Sequence, residues 1–236
     1  VSGFTAREVI KVLRKHKGFE IKHLVSRKIG IPLNVIHKEI DIENKTEKFS
    51  KKILKDTDIA FLCLPHGESQ KYVKQLVENG IKVVDLSSDF RFENKSIYEK
   101  FYTLHKTPEI LKDSIYGIPE IFRKKIRNAK LVANPGCFPI SIIIPLYPLL
   151  KEKLIDTKIF ISSVTGVSGA GRRSEEKYSF SFISENAYSY NPLSHRHVPE
   201  IEEKLYLLGG EEFNVFFVPV LIPLKRGIIS NIFLTL

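Results

Sequence analysis

The sequence predicts an α/β protein with a Rossmann-type, doubly wound parallel sheet, followed by a second α+β domain with a mixed or antiparallel sheet. Up to residue 133, short apolar runs alternate with helical patterns, and such alternation is typical of a parallel sheet. After residue 134, strand-like runs follow one another with few crossover helices. We therefore predict a boundary at Asn134-Pro135-Gly136, which divides the chain into domains 1–134 and 135–236.

The elements of the first domain are predicted from periodicity. Apolar residues at helical spacing indicate an amphipathic helix over about 5–17, which Gly18 ends. An uninterrupted apolar run at 59–64 is typical of a strand buried on both faces. The other predicted elements are an alternating strand at 19–25, a helix at 67–79 before Gly80, and strands at 82–86 and 130–133.

The second domain opens with a predicted helix over 139–151, which Pro145 and Pro148 should kink or shorten. The chain begins almost directly with a helix and ends inside a strand-like run. We therefore expect that the first strand of the Rossmann sheet and a C-terminal part are missing. The remaining predicted elements are a strand at 158–164, a Gly-rich loop, a helix at 198–208, and strands at 213–220 and 227–236.

Composition narrows the class of protein. The chain has 236 residues, of which 43% are hydrophobic, and no apolar run approaches the ~20 residues of a membrane helix. Cys63 and Cys137 are too few for a disulfide framework, which predicts a reducing, cytoplasmic location. The net charge of +10 would suit nucleic acid, an anionic substrate or an acidic protein. Because the lysines are scattered, we predict a small-molecule substrate and no nucleic-acid or membrane partner.

A dinucleotide site is predicted near the start of the chain. Ser2-Gly3-Phe4-Thr5 leads into the first helix like the end of a Gly-rich phosphate loop; a plain N-cap is the alternative. Ser26-Arg27-Lys28 follows the second predicted strand, where an NAD-binding fold carries an acid for the ribose. A hydroxyl and two cations suit a 2′-phosphate, so we predict NADP, with a basic surface turn as the alternative.

Leu64-Pro65-His66-Gly67 ends the strand predicted at 59–64. This edge of a doubly wound sheet is where ligands bind, so the backbone of these residues is predicted to line the cofactor. His66 is interpreted as a helix-start residue rather than a catalytic one. Cys63 lies within the apolar run and is interpreted as a core residue.

Cys137 is the predicted nucleophile. It lies in Asn134-Pro135-Gly136-Cys137-Phe138-Pro139, between a predicted buried strand and a predicted helix. A thiol at a helix N-terminus is expected to have a lowered pKa, and Gly136 lets the backbone approach a ligand. In other contexts a lone cysteine is more often structural.

His195-Arg196-His197-Val198-Pro199-Glu200 is the second predicted constellation. Pro199 and the acids after it mark a helix start, so both histidines lie in the preceding loop. One imidazole is predicted to act as a general acid–base group, and the sequence leaves open which one. A His-x-His metal site is the alternative, but no third ligand cluster supports it, and we predict no metal.

The Gly-rich loop from Val164 to Arg173 follows a predicted strand. Its backbone N–H groups and two arginines, Arg172 and Arg173, could hold an anion. A flexible basic loop is an equally good interpretation of the same residues.

Together, these motifs resemble one family, the N-acetyl-gamma-glutamyl-phosphate reductases of arginine biosynthesis, which is similar to aspartate-semialdehyde dehydrogenases. The His-Arg-His-x-Pro-Glu pattern separates the two. The matching segments occur in the family's order and cover essentially the whole chain: Ser2 to Thr5, Leu64 to Gly67, Asp85 to Arg91, Tyr116 to Glu120, Asn134 to Pro139, Gly166 to Arg172, and His195 to Ile201.

The resemblance implies an NADP-binding Rossmann domain at 1–134 and a catalytic domain at 135–236. It implies reduction of N-acetyl-gamma-glutamyl phosphate by NADPH through a thioester on Cys137, with His197, or else His195, as acid–base partner. We also expect a homo-oligomer. The predicted cofactor-binding residues are Ser2, Gly3, Phe4, Thr5, Ser26, Arg27, Lys28, Pro65, His66, Ser168 and Gly169, and the predicted substrate-binding residues are Arg91, Tyr116, Glu120 and Arg172.

Other interpretations stay open. A related reductase acts on an aminoadipyl or glutamyl phosphate attached to a small acidic carrier protein, which the positive charge would suit. The segment Tyr188-Ser189-Tyr190-Asn191-Pro192 looks more like the enzymes of free substrates. A basic nucleic-acid-binding protein on a Rossmann-like scaffold would need clustered Lys and Arg with interleaved aromatics. An inactive fragment is the remaining alternative.

Overall fold

Two four-stranded sheets form the framework of the protein in a computed structural model, which describes residues 1–172 and 175–235. The strands of the first sheet are β1 Ile59–Leu62, β2 Lys82–Asp85, β3 Ser114–Tyr116 and β4 Leu131–Ala133. They lie in the order β1-β2-β4-β3, and all pairs are parallel. The strands of the second sheet are β5 Lys158–Thr165, β6 Tyr188–Ser189, β7 Asn214–Leu221 and β8 Ile228–Phe233.

The second sheet has the order β6-β7-β5-β8 and is mixed. Strands β5 and β7 are parallel, whereas β8 runs antiparallel to β5 and β6 runs antiparallel to β7. A parallel first sheet and a mixed second sheet confirm the predicted fold class. The short strands β3 and β6 were not predicted, because three and two residues are too few for a periodic pattern.

The α-helices of the described residues cover both sheets and the loops between them. None of them has the length and apolar character needed to span a bilayer. They are α1 Phe4–Lys15, α2 Leu33–Ile36, α3 Gln70–Glu78, α4 Lys95–Phe101, α5 Pro119–Asn128, α6 Cys137–Lys151, α7 Phe180–Ile183 and α8 Val198–Gly209. Short 3-10 helices lie at Ile53–Asp56, Pro108–Asp113, Val167–Ala170 and Glu176–Tyr178.

The helix α6 fixes the position of the predicted nucleophile. Its apolar residues are buried in one core with α8 and the inner faces of β5 and β7. Pro145 and Pro148 lie inside the helix, which continues through both, so the predicted shortening is wrong. Tertiary packing holds the turns in which these two residues donate no hydrogen bond. Phe138 is the first residue of α6 in this core, and Cys137 comes directly before it. The thiol therefore lies at the edge of the buried part of the helix.

Two predicted features of the first domain are wrong. Residues 19–24 form no strand, and Val25 makes only an isolated bridge with Glu47. An alternating segment becomes a strand only where a neighbouring segment forms a continuous ladder of hydrogen bonds with it. Here the neighbouring segment pairs with a single residue, Val25. The four residues of β1 are half-buried rather than buried on both faces, because β1 lies at one end of the strand order.

Candidate active site

The loops that carry most of the predicted motifs meet at one edge of the first sheet. Because β1 to β4 are parallel, the segments that follow their last residues emerge side by side. These segments are 63–67, 86–91, 117–118 and 134–136. The N-terminus of α6 and the loop before α8 come to the same edge, since Glu200 of α8 accepts a hydrogen bond from the N–H of Gly136.

Glu200 is the residue on which these segments converge. Its side chain is fully buried, and its Oε1 accepts from Gly136 N–H at 2.8 Å and from the hydroxyl of Tyr116 at 2.7 Å. Its Oε2 lies 3.2 Å from Nη1 of Arg91. A buried carboxylate with three donors is satisfied, whereas one without partners would be costly. Glu200 thereby ties α8 to the turn before Cys137.

Arg91 completes this network from the loop after β2. Its Nε donates to the carbonyl of Asn134 at 2.8 Å, and its Nη2 donates to the carbonyl of Leu86 at 3.1 Å. Burial is the largest single influence and opposes the charge, but Glu200, Tyr102 and Tyr116 together outweigh it and raise the pKa of Arg91. The guanidinium is 6% exposed and engaged on all three nitrogens, so its donors are committed inside the protein.

Gly136 is needed for the close approach of two side chains. A Cβ on this residue would come within 2.9 Å of Nε2 of His197 and 3.0 Å of Nη1 of Arg91. Real side chains do not tolerate such contacts, so the glycine allows an imidazole and a guanidinium to lie against the backbone next to Cys137.

Cys137 is the first residue of α6, and its side chain is exposed to solvent. One side of the sulfur is open while protein atoms crowd the others, and the resulting desolvation raises the pKa of the thiol. The N–H of Phe138 and the charge of Arg91 act in the opposite direction without compensating. The expected lowering of this pKa is therefore wrong for the structure, and the thiol is protonated at neutral pH. Attack by Cys137 consequently requires a base.

His195 and His197 lie beside the residues that flank Cys137 in the sequence. His197 lies against Gly136, and both rings pack edge-on against Phe138, with centroids 5.4 Å and 5.8 Å away. The two imidazoles are 4.8 Å apart. Among the described residues, no hydrogen bond joins either ring to the thiol. The structure thus brings the three predicted catalytic residues into one cluster.

Both imidazoles are neutral at neutral pH. Burial, reinforced by Arg196, lowers the pKa of His195 to about 4. Burial also lowers the pKa of His197 well below its usual range, and His195 and Arg91 add to the effect. Nδ1 of His195 accepts the N–H of His197 at 3.1 Å, so the proton of a neutral His195 ring is on Nε2. Nδ1 of His197 is buried, and it has no partner among the described residues.

The acidic motif after β2 supports the turn at Pro65-His66-Gly67. Asp89 is buried and accepts from the N–H groups of Gly67 at 2.6 Å and Ser69 at 3.1 Å, which caps α3. Asp85 accepts from the hydroxyl of Ser69 at 2.7 Å, and burial raises its pKa to about 6. The helix α3 begins at Gln70 rather than at the predicted residue 67, because residues 66–69 form turns and Gly67 has a φ of 81°.

The predicted cofactor-binding residues lie at the start of α1 and in three loops, at 26–28, 65–66 and 168–169. Gly3 is the N-cap of α1, and no side chain caps this helix, so neither Ser2 nor Thr5 plays the alternative N-cap role. Arg27 pairs with Glu68 at 3.1 Å, which joins the 26–28 turn to the turn after Pro65. Nδ1 of His66 lies 2.7 Å from the hydroxyl of Ser88. Ser168 and Gly169 lie in the 3-10 turn of the Gly-rich loop.

Arg172 lies at this cofactor end rather than beside Cys137. It donates to the carbonyl of Ser2 at 2.8 Å and to that of Ile36 at 2.9 Å, and its guanidinium lies 5.9 Å from the Phe4 ring centroid. The loop of the second sheet thereby contacts the N-terminus of α1. Arg173, the other predicted cation of this loop, lies outside the described residues.

The four predicted substrate-binding residues are not brought together. Arg91 and Tyr116 are buried with their polar groups held by Glu200. Glu120 is exposed in the first turn of α5, and Arg172 points to α1. Nothing in the structure tests binding, so all four assignments stay predictions.

Glu200, Tyr190 and Tyr102 are site residues that the sequence interpretation missed. Tyr190 packs 5.7 Å from His195, and burial raises its pKa. Tyr102 packs 5.1 Å from His66. The one available signal was the position of Glu200 inside the second motif, where it was interpreted only as a helix-start acid. No group of three or more His, Cys, Asp or Glu placed to hold a metal ion occurs in residues 1–172 and 175–235.

Comparison with known families covers nearly the whole chain. The family described as "Semialdehyde dehydrogenase, NAD binding domain" matches residues 1–129, and "Semialdehyde dehydrogenase, dimerisation domain" matches residues 137–236.

Individual relatives agree with these family matches. An N-acetyl-gamma-glutamyl-phosphate reductase of Caldicellulosiruptor saccharolyticus is 44% identical over 99% of this chain and 69% of that protein. The enzyme of the same name from Sulfurimonas denitrificans is 43% identical over 99% of this chain and 70% of that protein. The aspartate semialdehyde dehydrogenase of Candida albicans, solved with NADP, has a TM-score of 0.72 at 18% identity and covers 99% of this chain and 68% of that one. That likeness supports the fold alone.

The buried pair is expected to control stability. Glu200→Gln and Arg91→Met should each lower the free energy of unfolding by about 3–5 kcal/mol, because each leaves one buried charge without its partner. The double variant should lose less than the sum, since neither charge then remains. Urea unfolding of the four proteins gives the coupling energy, and strictly additive losses would show that the two charges are independent.

Proposed function

The chain belongs to the family of N-acetyl-gamma-glutamyl-phosphate reductases, and we propose that it reduces N-acetyl-gamma-glutamyl phosphate to N-acetylglutamate semialdehyde and phosphate, with NADPH, in arginine biosynthesis. The observation that carries this proposal is the placement of Cys137, exposed at the N-terminus of α6 with two buried, neutral imidazoles around it. The two cysteines of the protein, Cys63 and Cys137, form no disulfide, which supports a cytoplasmic location.

The first chemical step is attack of the Cys137 sulfur on the acyl phosphate carbonyl. The new C–S bond forms as the C–O bond to phosphate breaks, which leaves a thioester on Cys137 and releases inorganic phosphate. Because the thiol is protonated at rest, its proton passes to a neutral imidazole during attack. A protonated imidazole could not accept it, so the lowered pKa of the histidines suits this step.

The two histidines divide the proton transfers. His197 lies against Gly136 and is assigned as the base that accepts the thiol proton. His195 carries its proton on Nε2, because its Nδ1 accepts the N–H of His197, and it is assigned as the donor to the carbonyl oxygen when negative charge develops there. This assignment keeps the preference for His197 as base and gives it a structural reason.

The residues around α1 fit a bound NADP. The first N–H groups of this helix have no side-chain cap and no acid in the first turn, as a pyrophosphate requires. Ser26, Arg27 and Lys28 are assigned to the 2′-phosphate, and Arg27, 76% exposed at its side chain, would exchange its surface pairing with Glu68 for the phosphate. When bound, NADPH supplies the hydride that reduces the thioester carbon. Collapse of the resulting hemithioacetal then breaks the C–S bond, releases the aldehyde and returns a thiol to Cys137.

A homodimer through the second sheet is part of the proposal. The family match over 137–236 is described as a dimerisation domain, and the outer face of this sheet carries several exposed apolar side chains. Phe160 on β5 pairs with Phe216 on β7 and Phe233 on β8, and these side chains are 50%, 38% and 62% exposed. Val164 beside Ile229 continues the same face. An exposed apolar patch of this kind marks an interaction surface.

Replacement of the nucleophile should abolish turnover. Cys137→Ser is expected to lower the rate at least about a thousandfold, because a serine hydroxyl is a far weaker nucleophile in this setting. The rate is measured as reduction of NADP by N-acetylglutamate semialdehyde and phosphate. Cys63→Ala is the control: burial raises the pKa of Cys63 to about 11, so that thiol is inert and its loss should leave the rate unchanged. Full activity of Cys137→Ser would contradict the role of Cys137.

The two histidines should differ in their effect on the pH profile. Since a neutral base is needed and burial lowers the pKa of both imidazoles, kcat/KM of the wild type should fall only well below pH 6.5. His197→Gln is expected to lower kcat by about 10²- to 10⁴-fold and to remove this acid limb. His195→Gln should lower kcat while keeping the limb. A limb that vanishes in His195→Gln but persists in His197→Gln would reverse the two assignments.

The outer sheet face should govern the oligomeric state. Sedimentation velocity is expected to show a dimer for the wild type and a monomer for Phe160→Glu, because a charge on this face could not be desolvated against a second copy. The control Leu104→Glu changes a residue that is 73% exposed outside this sheet and should remain dimeric. A dimeric Phe160→Glu protein with an unchanged circular dichroism spectrum would place the interface elsewhere.

A further inference from the structure

The substrate carries two anionic groups, a carboxylate and an acyl phosphate, so the site needs at least one available cation. The two described arginines that the sequence suggested for this task are occupied. Arg91 is held by Glu200 and two backbone carbonyls. Arg172 donates to two carbonyls near α1. Among residues 1–172 and 175–235, a different side chain is needed to supply a positive charge to the cluster around Cys137.

Arg196 lies between His195 and His197 in the sequence. Its two neighbours are buried around Gly136 and Phe138, whereas Arg196 itself is exposed. Its guanidinium lies 5.7 Å from the ring centroid of Tyr102, and its carbonyl accepts the Tyr102 hydroxyl at 3.5 Å. The side chain is therefore positioned by the ring of Tyr102, which in turn packs against His66 at the cofactor side.

The donors of Arg196 are unused. Within residues 1–172 and 175–235, its guanidinium takes part in no ion pair and no hydrogen bond, whereas Arg27 pairs with Glu68 and Arg226 pairs with Glu8. A cation–π contact holds a guanidinium by its face and leaves its five N–H groups free. Free donors on a guanidinium that a ring holds in place are what recognition of a carboxylate or phosphate requires.

The charge of Arg196 acts on several groups around Cys137. It contributes to the lowered pKa values of His66, His195 and His197, and it opposes the rise in the pKa of Tyr190. Groups on the loop after β1 and on the loop between β6 and α8 thus experience this one positive charge. An anion bound in the cluster would experience it in the same way and would be stabilised.

We propose, on the basis of the reductase function above, that Arg196 is a substrate-binding residue whose guanidinium holds an oxyanion group of the acyl phosphate substrate beside Cys137. The group is either the carboxylate or the phosphate, which present the same pair of oxygens to a planar guanidinium. Bound in this way, the substrate has its carbonyl within reach of the sulfur, and Arg196 acts through binding rather than through proton transfer.

The test separates the two anions kinetically. In the aldehyde-oxidising direction, Arg196→Gln should raise either the KM for phosphate or the KM for N-acetylglutamate semialdehyde by about ten- to a hundredfold. The first result assigns the phosphate to Arg196 and the second assigns the carboxylate. Arg196→Lys should recover only part of the loss, because an ammonium cannot form the bidentate pair. The matched control is Arg123→Gln, which removes one exposed guanidinium from α5 and should leave both KM values unchanged.

Direct binding separates this inference from the proposed function. Isothermal titration calorimetry with inorganic phosphate and with N-acetylglutamate should show weaker binding to Arg196→Gln of one of these two anions, while NADPH affinity and the circular dichroism spectrum stay those of the wild type. If the wild type turns over and Arg196→Gln matches it in both KM values and both affinities, the role of Arg196 is overturned and the reductase function stands. If the wild type shows no turnover but binds one of the anions more tightly than Arg196→Gln does, the reductase function fails and the anion site stands. Equal losses in Arg123→Gln would also overturn the inference.

Discussion

The buried contact between Glu200 and Arg91 is the constraint on which the site depends. A carboxylate with no exposed surface is stable here only because a guanidinium, a phenol and a backbone N–H satisfy it. Those donors come from the loop after β2, from the end of β3 and from the turn before Cys137. One side chain on α8 therefore holds together loops from both domains, and the backbone next to Cys137 can move little without exposing a buried charge.

The same burial sets the chemistry of the cluster. Desolvation raises the pKa of Cys137 and lowers those of His195 and His197, so both partners of the first proton transfer are neutral at rest. The outcome is opposite to an activated thiolate at a helix N-terminus, because desolvation outweighs two favourable backbone N–H groups. Arg196 is positively charged and exposed, and it lies in the sequence between two buried imidazoles. A site of this kind attracts an anionic substrate before any charge develops on the sulfur.

Much of the fold could be predicted from the sequence, and the misses have identifiable causes. Helices with a clear apolar face and strands in continuous apolar runs were placed within a few residues, as for α1, α8 and β5. The strand predicted at 19–25 fails because a ladder depends on a partner segment, and no pattern within one segment reports that partner. The predicted shortening of α6 at its prolines is wrong for a related reason, because packing from outside the helix supports the turns that the prolines weaken.

The sequence by itself determined the family, the fold class and the residue types that carry the chemistry, because short motifs constrain which groups follow a strand or begin a helix. Only the tertiary structure decided which of those groups are available. Arg91 and Arg172 are both candidate anion ligands in the sequence, yet one is neutralised by Glu200 and the other is held by carbonyls near α1. The Arg196 guanidinium has no ion pair or hydrogen bond within the described part of the chain. The physical reason is that the availability of a charge depends on partners distant in the chain, and only folding brings those partners to it.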